Sequence, residues 1–358
     1  MSIGSRTLTL TLATIALPTA AQAAAERSLS ELAKDYRAGD REPAVDAVTL
    51  MARETVEREV DRLVAYLARI GLTGNVERQS AVALLTEAAL VDFQDGDFRR
   101  GRWEVQAAAR LVRSGPSATR GSPFERCFFL VGGIALQLSG ALEPAHDLLQ
   151  QGLDVASDDA ELQTAAGAVV ETVAALRQYD PSPDSGRRRM QPGGYANESG
   201  GSGALAGASL SQAVEHYESA LRLDPELTEA RLRLGRVRLL QERWEQALRE
   251  LDRVAVRASD PGRRYLARLF QGRALEALDD LQGAATAYRA AAELVPQAQT
   301  AQLALGRMLD RLGDPSAAQA AFERAVTGPG PEDPWWDYQS GQPGRLQGLS
   351  EELRRLAR

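Results

Sequence analysis

The sequence predicts an all-α fold in which helix pairs stack into a solenoid, and three observations predict it. A spaced set of residues returns three times in the second half of the chain. Apolar residues such as Leu63, Leu67 and Ile70 recur at helical spacing. The last residues place Leu346, Leu349, Leu353 and Leu356 on one helical stripe with charged residues opposite, the pattern of a terminal capping helix.

The repeat is legible residue by residue. Leu232-Arg233-Leu234-Gly235-Arg236 returns as Leu269-Phe270-Gln271-Gly272-Arg273 and as Leu303-Ala304-Leu305-Gly306-Arg307. An alanine follows each glycine after 12 residues, at Ala247, Ala284 and Ala318. Four further on stands a large apolar residue, Leu251, Tyr288 or Phe322, and three beyond that Val254, Ala291 or Ala325. Glycine on a first helix and alanine on a second let two backbones approach closely while the large residue fills the space beside them.

This pattern resembles the tetratricopeptide repeat, a helix-turn-helix unit of 34 residues. The resemblance implies a right-handed α-solenoid of about six such units, running from Leu29 to the C-terminus, weak before Gln79 and strong after Ser209. The leading tryptophan of the pattern is absent in every unit.

In chain order, the first residues read as an address. Arg6, the short apolar run over 8–17 and Ala21-Gln22-Ala23 have the form of a signal peptide cleaved after residue 23, which predicts a periplasmic or secreted protein. No later segment is apolar and long enough to insert in a membrane. Residues 24–179 hold degenerate units. Tyr36, Gly39, Ala44 and Val48 form a weak first one, and residues 45–70 read as one or two helices. Phe93-Gln94-Asp95-Gly96-Asp97-Phe98 is a turn with Ala89 and Gly101 in the small-residue slots; Gly133, Ala145, Leu149 and Gly152 mark the next unit, with Gly140 in its turn.

Gly167 lies 34 after Gly133, so 160–178 is a first helix; Ala213 lies 34 before Ala247, so 209–223 is a second. They stand 46 apart where 12 is expected, an excess of one repeat length. Pro181, Pro183, Pro192 and the glycine-rich run over 193–203 argue against a hidden unit, so 180–208 is expected to be a flexible loop inserted between the helices of one repeat. Residues 209–332 are well-formed units. Residues 333–358, with Trp335, Trp336 and Tyr338 ahead of the leucine stripe, are expected to fold back and seal the last one.

Composition narrows the function. The 358 residues carry 42 Lys+Arg and 49 Asp+Glu, net −7, which disfavours general binding to nucleic acid or anionic membrane. Cys127 is the single cysteine, read as a buried thiol, and His146 and His216 are the two histidines, each read as a surface or groove residue; zinc held by Cys and His is excluded. Catalytic motifs are missing. The relaxed dinucleotide pattern at Gly201-Ser202-Gly203-Ala204-Leu205-Ala206 has no strand before it, and pairs such as Glu57 with Glu59 or Asp158 with Asp159 sit on solvated faces. No enzyme activity, cofactor or metal is expected.

Tetratricopeptide arrays hold protein segments in the groove lined by their first helices, and that is what the resemblance implies here. By resemblance, Leu232 with Arg236, Leu269 with Arg273 and Leu303 with Arg307 face this groove, one helical turn apart. They are expected to contact a protein or peptide partner carrying acidic side chains or a C-terminal carboxylate. Glu276 and Asp310, three residues beyond two of these arginines, would temper the charge. Arg187-Arg188-Arg189 in the inserted loop offers a further basic contact. The expected function is a non-catalytic interaction module of the bacterial envelope. The alternatives are a spacer subunit of an envelope export or assembly complex and, third, an enzyme.

Overall fold

The computed structural model describes residues 27–179, 204–327, 333–335, 338 and 343–357. The signal-peptide reading at 1–23, most of the inserted loop with Arg187, Arg188 and Arg189, and Trp336 lie outside the described residues.

Among the described residues there are 16 α-helices. Helices α1 (Leu29–Ala38), α2 (Arg41–Leu50) and α3 (Arg53–Ile70) form an N-terminal group. The stretch expected as one or two helices breaks at Met51, whose extended backbone separates α2 from α3. Six helix pairs follow: α4 (Asn75–Gln94) with α5 (Phe98–Arg113), α6 (Pro123–Leu138) with α7 (Leu142–Val155), and α8 (Ala160–Tyr179) with α9 (Leu210–Leu223). The remaining three are α10 (Thr228–Leu240) with α11 (Trp244–Arg257), α12 (Pro261–Ala277) with α13 (Leu281–Leu294), and α14 (Gln299–Arg311) with α15 (Pro315–Thr327). Each pair packs on the next, which makes the chain an all-α solenoid. The final helix is α16 (Pro343–Leu356).

The repeating residues meet as their spacing requires. A Cβ built on Gly272 would lie 2.4 Å from the Tyr288 ring, one on Gly306 2.5 Å from Phe322, and one on Gly235 2.7 Å from Leu251. The same approach joins Gly133 to Leu149 and Gly167 to Tyr217. In the α4–α5 pair the roles are exchanged: the glycine, Gly101, sits on the second helix beneath Phe93 of the first. Five of the six pairs turn through a left-handed residue at the same place, Gly96, Gly140, Glu242, Asp279 and Gly313. Two of these are not glycine, a strained choice that the flanking helices impose.

The sixth turn is replaced by the insertion, yet α8 and α9 still pack as a pair. Its end is ordered, not loop: Ala204–Gly207 forms a short 3-10 turn with Leu205 and Ala208 buried, which moves the boundary of the insertion to residue 203.

The terminal helix forms, but it does not sit on the end of the last pair. α16 packs against α6 and α4, at the opposite half of the solenoid, and Val326 on α15 stays 80% exposed. The physical reason is that Asp333, Tyr338 and α16 find polar and charged partners on the first helices.

One buried acid makes a test of this packing. Glu104 on α5 is fully buried beside Asp92 and Arg100, with Arg100 Nε 3.0 Å from Asp92 Oδ2 and 3.6 Å from Glu104 Oε1. Burial first, then the neighbouring Asp92, pushes the Glu104 carboxyl up to about 10. The folded chain therefore keeps a proton that the unfolded chain releases near 4.5, and stability is lost as pH rises between those values. Glu104→Gln is expected to raise the melting temperature at pH 8, with the gain fading below pH 4.5. A variant that melts lower than the parent at pH 8 would contradict this.

Candidate partner-binding groove

The first helices of the six pairs, α4, α6, α8, α10, α12 and α14, form one continuous side of the solenoid. Two features occupy it: a cluster of buried charge at its middle and an open cleft beside that cluster.

The buried cluster centres on Glu171 of α8, 2% exposed. An acid inside the apolar run from Ala165 to Ala175 has to find partners, and four groups supply them. Arg236 of α10 forms an ion pair with one carboxylate oxygen, and Arg233 Nη1 lies 3.5 Å from the other. Tyr217 donates to it at 2.5 Å and Tyr338 at 3.0 Å. Arg233 also bonds Glu229 at 2.6 Å. The guanidinium of Arg233 stacks 4.7 Å above the Tyr338 ring, and that of Arg236 lies 5.2 Å from the same ring and 5.8 Å from Trp335. Burial, then the charge of Glu171, holds the Tyr338 phenol well above its ordinary range, so its hydroxyl stays a donor.

The cleft has a volume of about 460 Å³. Its lining comes from α10 and the start of α11 (Leu239, Leu240, Trp244), from α12 (Phe270, Arg273) and from α14 (Arg307, Arg311). The three repeat arginines thus line a single cleft, but they are not equivalent. Arg236 is buried and committed to Glu171. Arg273 is exposed and has no hydrogen-bond or ion-pair partner among the described residues. Arg307 is exposed and lies 2.7 Å from Glu276.

Glu276 does not pair with Arg273 on its own helix. It accepts from Arg307 and from Arg311, at 3.4 Å, across the unit boundary, while Arg311 also reaches Asp279. The arginine one turn after Arg307 therefore belongs to the site, and the spacing of the repeat did not mark it.

The leucines require a correction. Leu232 is fully buried and Leu269 is 3% exposed; both are core residues that hold the helix pairs together and cannot offer contact area. Only Leu303, 48% exposed, is open to a partner. The leucines of α10 and α12 are carried inward into the C-terminal apolar core, which is built from their own and later units. The half-buried Leu240 and Trp244 supply apolar surface instead.

Cys127 is a buried thiol whose Sγ lies 3.5 Å from the Leu349 carbonyl, and burial pushes it up to about 12. His146 and His216 come together across a second cavity of about 280 Å³ between α7 and α9, where His216 Nδ1 sits 2.9 Å from Gln163. Burial, followed by the charge of His146, lowers the His216 imidazole. No helix among the described residues is long and apolar enough to cross a membrane.

Family comparison bears directly on the helix pairs. Models described as tetratricopeptide repeat match residues 204–269 and 269–334, the stretch in which the spaced glycine, alanine and large apolar residue recur. Residues 204–334 are tetratricopeptide repeats. They support the chain as a protein–protein interaction module.

A curated relative is cellulose synthase operon protein C of Xanthomonas axonopodis pv. citri (strain 306), 34% identical over 129 residues. That match covers 34% of the present chain and spans 8% of the length of the relative. Among solved structures, MamA from Desulfovibrio magneticus RS-1 aligns with 56% of this chain and 93% of its own, at 19% identity and a TM-score of 0.42. A tetratricopeptide repeat protein from Parabacteroides merdae ATCC 43184 aligns with 76% of this chain and 89% of its own, at 14% identity and a TM-score of 0.47. PilF of Pseudomonas aeruginosa aligns with 64% and 88%, at 15% identity and a TM-score of 0.45.

Proposed function

We propose that this protein is a non-catalytic interaction module of the bacterial envelope that captures an acidic segment of a protein partner in the cleft between α10, α12 and α14. The observation that carries the reading is the charge of that cleft: Arg273 has no partner among the described residues, and Arg307 and Arg311 share Glu276. A partner carboxylate would meet a surplus of guanidinium, with the half-buried Trp244 and the exposed Leu303 giving contact area. Charge at an open cleft sets register and association rate, so binding is expected to weaken as salt rises. Arg187, Arg188 and Arg189 are proposed as an additional basic contact. The envelope location rests on the leader pattern at 1–23; N-terminal sequencing of the exported protein should begin near Ala24.

The test is the double reversal Arg273→Glu, Arg307→Glu in the full chain, with Arg236 left intact because its charge is buried against Glu171. Partner capture by crosslinking in intact cells is expected to fall by an order of magnitude or more, with the circular dichroism and melting temperature unchanged. Undiminished capture would remove the cleft from the function. A spacer subunit of an envelope assembly would then be the reading to prefer, since Asp333, Tyr338 and α16 already occupy first-helix positions from α4 to α12.

A further inference from the structure

The groove of this protein is largely filled, and what fills it is the end of the same chain. Asp333, 2% exposed, accepts from the Tyr265 hydroxyl of α12 at 2.8 Å and from the backbone N–H of Thr300 on α14 at 2.8 Å. Trp335 meets Phe270 edge-on at 5.8 Å, and Tyr338 meets the same ring at 5.6 Å while its hydroxyl reaches Glu171. The helix α16 then continues in the same direction. Arg345 lies 3.3 Å from Glu161 of α8, the Leu349 carbonyl faces Cys127 of α6, and Arg354 lies 2.9 Å from Glu87 of α4.

Each of those partners stands on a first helix, in the order α14, α12, α10, α8, α6, α4. The segment runs antiparallel to the order of the units, one element after another, as an extended ligand would. It also joins the two apolar cores, since Tyr338 belongs to the C-terminal one and Leu346, Leu353 and Ala357 to the N-terminal one. The contacts of glycine with a large apolar side chain that close the helix pairs involve no residue of this segment.

We infer that Asp333, Trp335, Tyr338 and the helix α16 are an intramolecular ligand of the groove, and that the partner which displaces them is a polypeptide segment of the same chemistry. That chemistry is a carboxylate, an aromatic pair after two to five residues, and then a helix with leucines on one face and arginines beside them. The carboxylate is read by the Tyr265 hydroxyl and the Thr300 amide, the rings by Phe270 and the Arg233 and Arg236 guanidiniums, and the arginines by Glu161 and Glu87. Tethering holds the cis segment at a high effective concentration, so an outside segment competes only by matching these contacts or exceeding them. Once released, a helix of 14 residues is marginal in water, and its unfolding favours the exchange. The inference rests on the reading of the chain as a protein-binding module, but it uses none of Arg273, Arg307 or Arg311.

The experiment keeps the whole chain. A specific protease site is placed between Thr327 and Asp333, the protein is folded and then cleaved, and a fluorescent synthetic peptide of residues 333–357 is the probe. The cleaved protein is expected to take up the peptide, while the uncleaved parent binds it at least tenfold more weakly. The full-length double variant Asp333→Asn, Tyr338→Ala, which loosens the latch without cutting, is expected to bind the peptide at least threefold more tightly than the parent.

Three results would overturn the inference: a cleaved segment that never exchanges, a loss of helical signal on cleavage, or equal peptide binding by cleaved and uncleaved protein. A concentration-dependent dimer of the uncleaved parent, formed by exchange of these segments, would overturn the assignment in cis. Because Arg273→Glu, Arg307→Glu leaves this segment untouched, its failure to alter capture would count against the acidic-cleft reading and not against the intramolecular ligand.

Discussion

Glu171→Ala is expected to destabilise the protein by about 3–5 kcal/mol, the cost of removing one partner from a buried ionic cluster. Arg236 would lose its ion-pair partner and remain buried, while Arg233 would keep only Glu229. The hydroxyls of Tyr217 and Tyr338 would lose their acceptor at the same time. Because the second of these belongs to the C-terminal segment, the substitution should also loosen α16, read as faster amide exchange over 343–357. Glu171→Gln keeps the shape and one acceptor oxygen and should cost less. Thermal and urea unfolding of the three proteins checks the order. If Glu171→Ala melts with the parent, the cluster contributes little and the charges are better hydrated than their burial indicates.

Tyr288→Ala is expected to cost about 3–5 kcal/mol, the range for emptying an aromatic position in a core. The ring is fully buried against Gly272, where nothing but hydrogen stands on the facing backbone, so no side chain can relax into the space. Its hydroxyl donates to Glu276 at 3.2 Å, and Tyr288→Phe, which removes only that bond, should cost about 0.5–1.5 kcal/mol. Tyr288→Leu should fall between, since Leu251 and Leu149 fill the same position in other pairs. The α12–α13 pair lies within the array and couples α14–α15 to the rest. Calorimetry of Tyr288→Ala is therefore expected to show the C-terminal pair unfolding first, as a separate transition. A single transition at the parent temperature would refute the register.

Both predictions follow from residues that the sequence treats very differently. Tyr288 was legible because its role is set by local spacing: a glycine, an alanine 12 later and a ring 4 beyond that can meet in one way only when two helices pair. The same arithmetic located α8 and α9 across the long insertion, because one unit's geometry does not depend on how long its turn is. Glu171 carried a fainter signal, a lone acid in an apolar helix, which announces a buried partner without naming it.

The candidate site was legible in part for the same reason. The recurrence of arginine after glycine brought Arg236, Arg273 and Arg307 to one cleft, but it could not say that Arg236 would be consumed by Glu171, 65 residues away. Nor could it say that Leu232 and Leu269 would be buried in the C-terminal core, since helical spacing sets which residues share a face and not what packs against that face. Arg311 and Trp244 enter the cleft from positions that the repeat leaves variable.

What the sequence by itself determined is the unit: helix pairs closed by glycine against a large apolar residue, repeated along the chain, with leucines marking a last amphipathic helix. Those features depend on separations of 3 to 34 residues, where the period of the helix converts order in the chain directly into contact. What only the tertiary structure decided is where that last helix goes. Its leucine stripe would satisfy any apolar surface, and the open edge of α15 was the nearest one. The choice of α6 and α4 was made by groups far apart in the chain, Asp333 with Tyr265, Tyr338 with Glu171 and Arg354 with Glu87, whose pairing exists only once the stacked units have curved their first helices into one groove.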